Sequence, residues 1–397
     1  MKILIYSSNS VFSGKPVGGA EHSLANLAKL LSKAGEEVDY VTDSPGRWSA
    51  GKRLIRPEGY TLHHTPVYSL PFQRFPLVRR INKWINDRVK LNYFSRYFSQ
   101  YDVAHGYNEY PDMLLLLKWK EKTSLPLLVV IRVAGLYWHE GLGIKSGDMK
   151  RKVEYVYNNV DAANFISSGL EKLFHKIVRE EKYDVKLKRS FTLDIGVPLN
   201  TKESLPEPSS EQFDIIMTAR FNIDRQKRQD LLIEAFKLSG LNKARLILFG
   251  DGPNKEILKK KCEADLFLKE RVEFRGYCSK ENLKEAMKNA SLFCMCTDYE
   301  GLCKSVLEAM ALGLPVLVSD VPALNGYIED GENGFLVTNK EQLWAEKLKE
   351  LSLMPVGELQ HLGLAGRDFV EQHYNMENNL REYIAKFYSL SKTSKKG

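Results

Sequence analysis

Strand-length apolar runs alternate with helix-length amphipathic segments along almost the entire chain, and this alternation most constrains its fold. "KILIYS", "EVDYVT", "YDVAH", "PLLVVI" and "AANFIS" are strand-like, whereas "AEHSLANLAKLLSKAG" repeats its apolar residues at helical spacing. Parallel neighbours must be joined by crossovers, so the pattern predicts parallel sheet with helices on both faces. It breaks at residues 196–212, "GVPLNTKESLPEPSSEQ", where Pro, Ser and Glu crowd without apolar period. It then restarts with "FDIIMTA", "QDLLIEAFKLS", "ARLILFG" and their successors through "LPVLVS". A chain of 397 residues also exceeds the length at which one core stops growing. The expected class is α/β, with two facing Rossmann-like doubly wound domains at residues 1–198 and 199–374, and a closing helix and tail at 375–397. Such sheets hold ligands beyond the carboxyl ends of their strands, here in an interdomain cleft.

No apolar run is long enough to cross a bilayer. The opening "MKILIYSS" enters a strand-like run directly, without the basic lead and cleavage site of a signal peptide, so a cytoplasmic location is expected. The five cysteines show no paired Cys/His ligand spacing, and Cys294 and Cys296 in "SLFCMC" read as buried strand thiols. Charge is uneven. Residues 1–200 carry 30 Lys and Arg against 20 Asp and Glu, and the remainder 28 against 30, which points to an anionic partner for the front half alone.

In "CTDYEGLCKSVLEAMALGLPVLVSD" two carboxylates, Glu300 and Glu308, flank a segment otherwise fit for the interior. "DYEGL" supplies turn residues and "SVLEAMALG" a helix, which puts Glu300 in the loop and Glu308 about a turn inside the helix. Gly301 lets backbone approach a ligand, and the first helix amides point free N–H groups at the same spot. Carboxylates accept from hydroxyls while helix-end amides hold phosphate, the combination that a phosphorylated polyhydroxyl ligand requires. The plainer reading is a pair of solvated helix-flank glutamates, which the apolar context disfavours.

"EGLCKSVLEAMALGLPVLVSD" resembles the donor-binding signature of the retaining family 4 glycosyltransferases (glycosyl transferases group 1), which have the GT-B fold. "GGAEHSLANLAKLLSKAGEEV", "ARFNIDRQKRQDLLIEAF", "LILFGDGPNKEIL", "VEFRGYCSKENL" and "EDGENGFLV" are similar to that family's segments, in its order, across nearly the whole chain. The resemblance implies that Glu300 bonds the sugar hydroxyls of a nucleotide-sugar donor, UDP- or GDP-linked, and that Glu308 accepts from the ribose. Amides of Gly301, Leu302 and Cys303 would line the sugar and phosphate site. Cys303 stands where the family usually has Gly or Pro, implying a narrower sugar pocket. Arg220 and Lys227 would neutralise the leaving diphosphate, with Lys227 favoured over Arg225 and Arg228 by its spacing to "DLLI". Gly250 would also line the donor site, and Gly18 and Gly19 would let front-domain amides approach it. Many relatives carry a His near Ala134; here Arg132 and His139 are the nearest candidates, and Arg132 is assigned the front-domain catalytic place. Glu21 and His22 read as favourable residues at a helix start. The implied chemistry needs neither metal nor cofactor, since the nucleotide-sugar is a substrate.

Residues 71–100, "PFQRFPLVRRINKWINDRVKLNYFSRYFSQ", interleave Arg and Lys with Phe, Trp, Tyr and Ile. The segment reads either as a half-buried helix with a solvated basic face or as a contact for an anionic membrane surface. No nucleic-acid-binding motif accompanies it. The function expected is transfer of a sugar to a hydroxyl acceptor, a glycan or a lipid-linked one, peripheral to the cytoplasmic face of the membrane. The alternatives are a nucleotide-sugar epimerase or phosphorylase of the same fold, and a non-catalytic sugar-nucleotide-binding scaffold.

Overall fold

The computed structural model of the chain describes residues 1–13, 19–44, 57–107, 109–136, 147–199, 212–223 and 226–394. It has two compact units: Met1–Ile166 with Phe174–Leu193 and Leu380–Gly397, and Asp194–Asn379 with Ser167–Leu173. The main segment of the second unit thus begins five residues before residue 199, the start read from the sequence. Residues 380–397, expected to close the chain as a separate element, belong to the first unit. Most of the linker segment lies outside the described residues.

The first unit is a seven-stranded sheet in which every pairing is parallel. Its strands are β1 (Lys2–Ser7), β2 (Glu37–Asp43), β3 (Thr61–Thr65), β4 (Val103–Gly106), β5 (Leu128–Val133), β6 (Ala162–Phe165) and β7 (Ser190–Thr192), in the order β3-β2-β1-β4-β5-β6-β7. Ile3, Leu4 and Ile5 of β1 are wholly buried, as a central strand covered on both faces requires. Strand order reverses between β1 and β4, and a wide π-helical turn, Glu109–Met113, follows β4. Helix α1 (Gly19–Lys33) follows β1; α2 (Pro76–Tyr97) and α3 (Leu114–Thr123) flank β4.

Buried polar groups tie this unit together. His105 Nδ1 lies 2.9 Å from the Val130 carbonyl, which can only accept, so Nδ1 carries the proton, and Nε2 stands 2.9 Å from Tyr383 Oη. Tyr383 sits on the last helix, Met376–Ser394, and its hydroxyl donates to Asn164 Oδ1 at 2.8 Å. Burial depresses the His105 pKa to about 3. Asp112 is fully buried, accepts from the Ser8 amide at 3.0 Å through Oδ2, and leaves Oδ1 without a hydrogen-bond partner among the described residues. Burial lifts its pKa to about 7.

The second unit has a six-stranded parallel sheet: β8 (Phe213–Thr218), β9 (Ala244–Phe249), β10 (Val272–Gly276), β11 (Leu292–Met295), β12 (Val316–Ser319) and β13 (Phe335–Val337), in the order β10-β9-β8-β11-β12-β13. Helix α6 (Gln229–Ser239) follows β8 and stops at Gly240 in the left-handed conformation, φ 62°. Helix α10 (Lys304–Ala311) follows β11. Cys294 in β11 and Cys296 just after it are buried free thiols whose pKa burial raises well above the ordinary value.

These titrations set opposing pH slopes. A carboxyl raised on folding contributes stability that is present below its ordinary value and lost as pH rises through about 7. A histidine depressed on folding loses stability as pH falls below its ordinary 6.5. Asp112→Asn is therefore expected to stabilise the protein at pH 8 by up to about 4 kcal/mol and to have little effect near pH 4, with a steeper acid decline between. Urea denaturation midpoints across that range measure it.

Candidate active site

In the second sheet, strand order reverses between β8 and β11, the place beyond which doubly wound sheets hold their ligands. The loops after both strands carry residues singled out in the sequence. They are joined by backbone bonds, Arg228 N to Cys296 O at 3.0 Å and Asp298 N to Gln226 O at 2.9 Å, and by an isolated bridge between Lys227 and Thr297. Across this junction Lys227 Nζ donates to Glu300 Oε1 in a largely buried ion pair. Burial opposes the Lys227 charge, but the neighbouring Cys303 sulfur and the Glu300 carboxylate outweigh it and hold the ammonium above its ordinary range. Thr297 Oγ1 stands 3.0 Å from the same Glu300 oxygen. Met295 Sδ and Cys303 Sγ lie 3.8 and 3.9 Å from Lys227 Nζ.

Of the cations left open by spacing, Arg228 points elsewhere: it pairs with Asp230 and with Asp298, which Asn339 also holds. Arg225 lies outside the described residues. Arg220 is exposed just beyond β8, and its guanidinium makes no hydrogen bond or ion pair among the described residues, while its carbonyl accepts from Gln229 Nε2 at 2.9 Å. Gly250 ends β9 with φ 128°, and a Cβ there would stand 1.9 Å from the Ala219 carbonyl oxygen. Only glycine permits the loop after β9 to press so closely on the residue before Arg220.

The segment 301–305 presents amides rather than carbonyls. Gly301 O accepts from Ser167 Oγ at 2.8 Å, and Leu302 O from Tyr327 Oη at 2.7 Å. The amides of Gly301, Leu302, Cys303, Lys304 and Ser305 donate to no other described residue. Cys303 caps α10 in the left-handed conformation, φ 57°, ψ 74°, a backbone shape that favours glycine. Burial pushes its thiol up to about 11. Five free N–H groups at a helix start form a cradle for an anion. Lys304 Nζ reaches back to Asp194 Oδ1 at 3.2 Å and Gly196 O at 3.4 Å. Gly196 has φ 78° and no room for a Cβ against the Tyr374 carbonyl.

Glu308 lies just over a turn into α10, half-buried, and its carboxylate makes no hydrogen bond or ion pair among the described residues. Burial raises its pKa, opposed by Lys280 and Lys304 nearby. A desolvated carboxylate without a donor is suited to accept hydroxyls from a ligand.

The structure thus brings Lys227, Glu300 and Cys303 together, with Gly301, Leu302 and Glu308 on the same loop and helix. Arg132 belongs to the first unit, at 2% exposure, with Nη1 3.2 Å from Asn164 Oδ1 and Nη2 3.4 Å from Ser23 Oγ. Gly19 begins α1 and Gly18 lies outside the described residues, as does His139. Glu21 is more than a helix-start residue: it accepts from Asn9 Nδ2 at 3.0 Å and Tyr107 Oη at 2.8 Å. Thr297, Ser167 and Tyr327 escaped the sequence reading. Thr297 could have been suspected from its place ahead of the "DYEG" turn; nothing local marks the other two.

Known proteins resemble the chain over both units. The profile for Glycosyl transferases group 1 matches residues 201–368, and that for Glycosyltransferase Family 4 matches residues 17–185. An uncharacterised glycosyltransferase of Methanocaldococcus jannaschii is 34% identical over 82% of each chain. The alpha-monoglucosyldiacylglycerol synthase of Acholeplasma laidlawii is 23% identical over 82% of this chain and 83% of its own. Among solved structures, HepE of Anabaena in complex with UDP superposes with a TM-score of 0.74 at 17% identity, covering 98% of this chain and all of that one. Two doubly wound parallel sheets, a carboxylate and a lysine meeting at a strand-order reversal, and sequence likeness over both units make this chain a member of the family 4, group 1 glycosyltransferases of GT-B fold.

Proposed function

We infer that the protein is a retaining, metal-independent glycosyltransferase that takes a hexose-type sugar from a uridine diphosphate donor held by the second unit. The observation that carries this reading is the crevice pairing: a carboxylate and an ammonium side by side, next to a run of amides without acceptors. Glu300 accepts sugar hydroxyls, the amides of residues 301–305 bind the diphosphate, and Glu308 accepts from the ribose. Lys227 and the unpartnered Arg220 stabilise charge as the glycosidic bond breaks. The acceptor hydroxyl attacks the anomeric carbon from the leaving-group side and its proton passes to the departing diphosphate, so the protein contributes positioning and charge. No resident cofactor or metal is assigned, because the cations of Lys227 and Arg220 would meet the diphosphate charge that a divalent ion otherwise meets. HepE in complex with UDP supports the choice of nucleotide.

The acceptor is assigned to the first unit and to the lipid-linked class, as the likeness to a glucosyldiacylglycerol synthase supports. No helix of the described residues is long and apolar enough to cross a membrane, and contact with the cytoplasmic face is assigned to residues 71–100.

Glu300→Gln and Lys227→Ala are each expected to lower turnover with a UDP-sugar by about 100-fold or more. Normal turnover in both variants contradicts the site, and an inverted anomeric configuration in the product, read by NMR, contradicts the retaining mechanism. The same pair has a stability signature. Glu300→Gln leaves a buried ammonium without its counter-charge and is expected to cost about 3 kcal/mol, whereas Glu300→Gln with Lys227→Met should lose less than Glu300→Gln alone, measured by urea denaturation.

A further inference from the structure

Helix α2 buries only Asn86, Lys90 and Phe94. Asn86 pins the preceding loop through Oδ1 to the Tyr68 amide at 2.7 Å and Nδ2 to the Tyr68 carbonyl at 2.9 Å, and Lys90 is held by Asp43 at 2.7 Å. The helix is thereby fixed with Leu77, Ile81 and Trp84 outward, at 68%, 44% and 61% exposure. With Arg88 these residues follow the spacing i, i+4, i+7, i+11, one stripe along the helix. The stripe runs into a groove of about 420 Å³ between α2 and α3.

That groove is basic where the stripe is apolar. Trp84 and Arg88 line it from α2, with the Arg88 guanidinium 5.5 Å from the centre of the Trp84 ring. Lys118 and Lys122 line it from α3, one turn apart on the facing side, and Leu114 and Leu115 form part of its apolar wall. Asp87 is the single acid on the lining. Lys118 has no hydrogen bond or ion pair among the described residues, and Lys122 donates to Asn92 Oδ1, a neutral group, at 2.8 Å. Lys90 also lines the groove but is paired with Asp43, so three further cations, Arg88, Lys118 and Lys122, face one lining carboxylate in a recess whose mouth continues as exposed aliphatic and indole surface.

We propose that the groove between α2 and α3 seats the phosphate of an anionic phospholipid, with Lys118, Lys122 and Arg88 on the headgroup and Leu77, Ile81 and Trp84 in the acyl region. A phosphate ester meets the cations and the adjoining chains meet the stripe, so one amphiphile satisfies both chemistries, and Trp84 sits where a ring with an apolar body belongs, at the interface. The site is distinct from the donor crevice. It rests on the membrane assignment made above, but not on the assignment of the donor.

The test is sedimentation of the full chain with vesicles of phosphatidylcholine alone and of phosphatidylcholine mixed with phosphatidylglycerol, at matched ionic strength. The expected result is binding to the mixed vesicles only, weakened about 30-fold in Lys118→Gln/Lys122→Gln. An equal charge change on the second unit, Lys259→Gln/Lys260→Gln, should weaken it by no more than a few-fold. Trp84→Ala should also lose binding. Equal loss in both lysine pairs would mean diffuse attraction and overturn the groove, as would absence of vesicle binding. Displacement by soluble glycerol phosphate at concentrations matching the lipid phosphate would assign the groove to a free phosphate ester and overturn the lipid. Thermal stabilisation by UDP, followed in every variant, confirms folding and reads the donor site separately.

Discussion

The ion pair between Lys227 and Glu300 joins the two loops that a doubly wound sheet drives apart. Because β8 and β11 are neighbours whose following helices leave in different directions, their loops would splay without a tether across the reversal. The tether is electrostatic at its centre and hydrogen-bonded at its edges, through Thr297, the amides of Arg228 and Asp298, and Gln226. A charge pair this buried is a weak source of stability compared with apolar packing of equal volume. Among the described residues the Glu308 carboxylate and the Arg220 guanidinium have no such partner, so the polar groups near the ends of β8 and β11 are not all satisfied within the fold.

The division of labour within residues 301–305 is a second constraint. Every peptide unit carries one donor and one acceptor, and a segment can present donors only if its carbonyls are occupied elsewhere. Ser167 and Tyr327 occupy two of them, from positions far away in the sequence. The left-handed turn at Cys303 then redirects the chain into α10. The carbonyls of this segment are thus turned away from its amides by side chains drawn from distant parts of the chain.

Much of this was legible from the sequence, and the limits have physical reasons. The strand and helix alternation gave both parallel sheets because a central parallel strand must be apolar on both faces, as Ile3–Ile5 and Leu292–Met295 are. The loop position of Glu300 and the helical one of Glu308 followed from turn chemistry and period. The partners of Glu300 did not, since Lys227 lies 73 positions away and three cations compete in one segment. The return of residues 380–397 to the first unit was missed because the tail's amphipathic pattern says only that it packs; Tyr383 meeting His105 and Asn164 says where. Likewise, the pattern of residues 71–100 showed a basic amphipathic helix but not which face stays outside, a matter decided by Asn86, Lys90 and Phe94.

Lys304 gives α10 a second anchorage. Its ammonium grips Asp194 and the Gly196 carbonyl, the point where the chain enters the second unit, and Gly196 is wedged against Tyr374 with no slack for even a methyl group. The start of α10 and the segment that opens the second unit are therefore fastened to one another, and the carbonyl of a glycine locked by its neighbours serves as a fixed anchor for the helix.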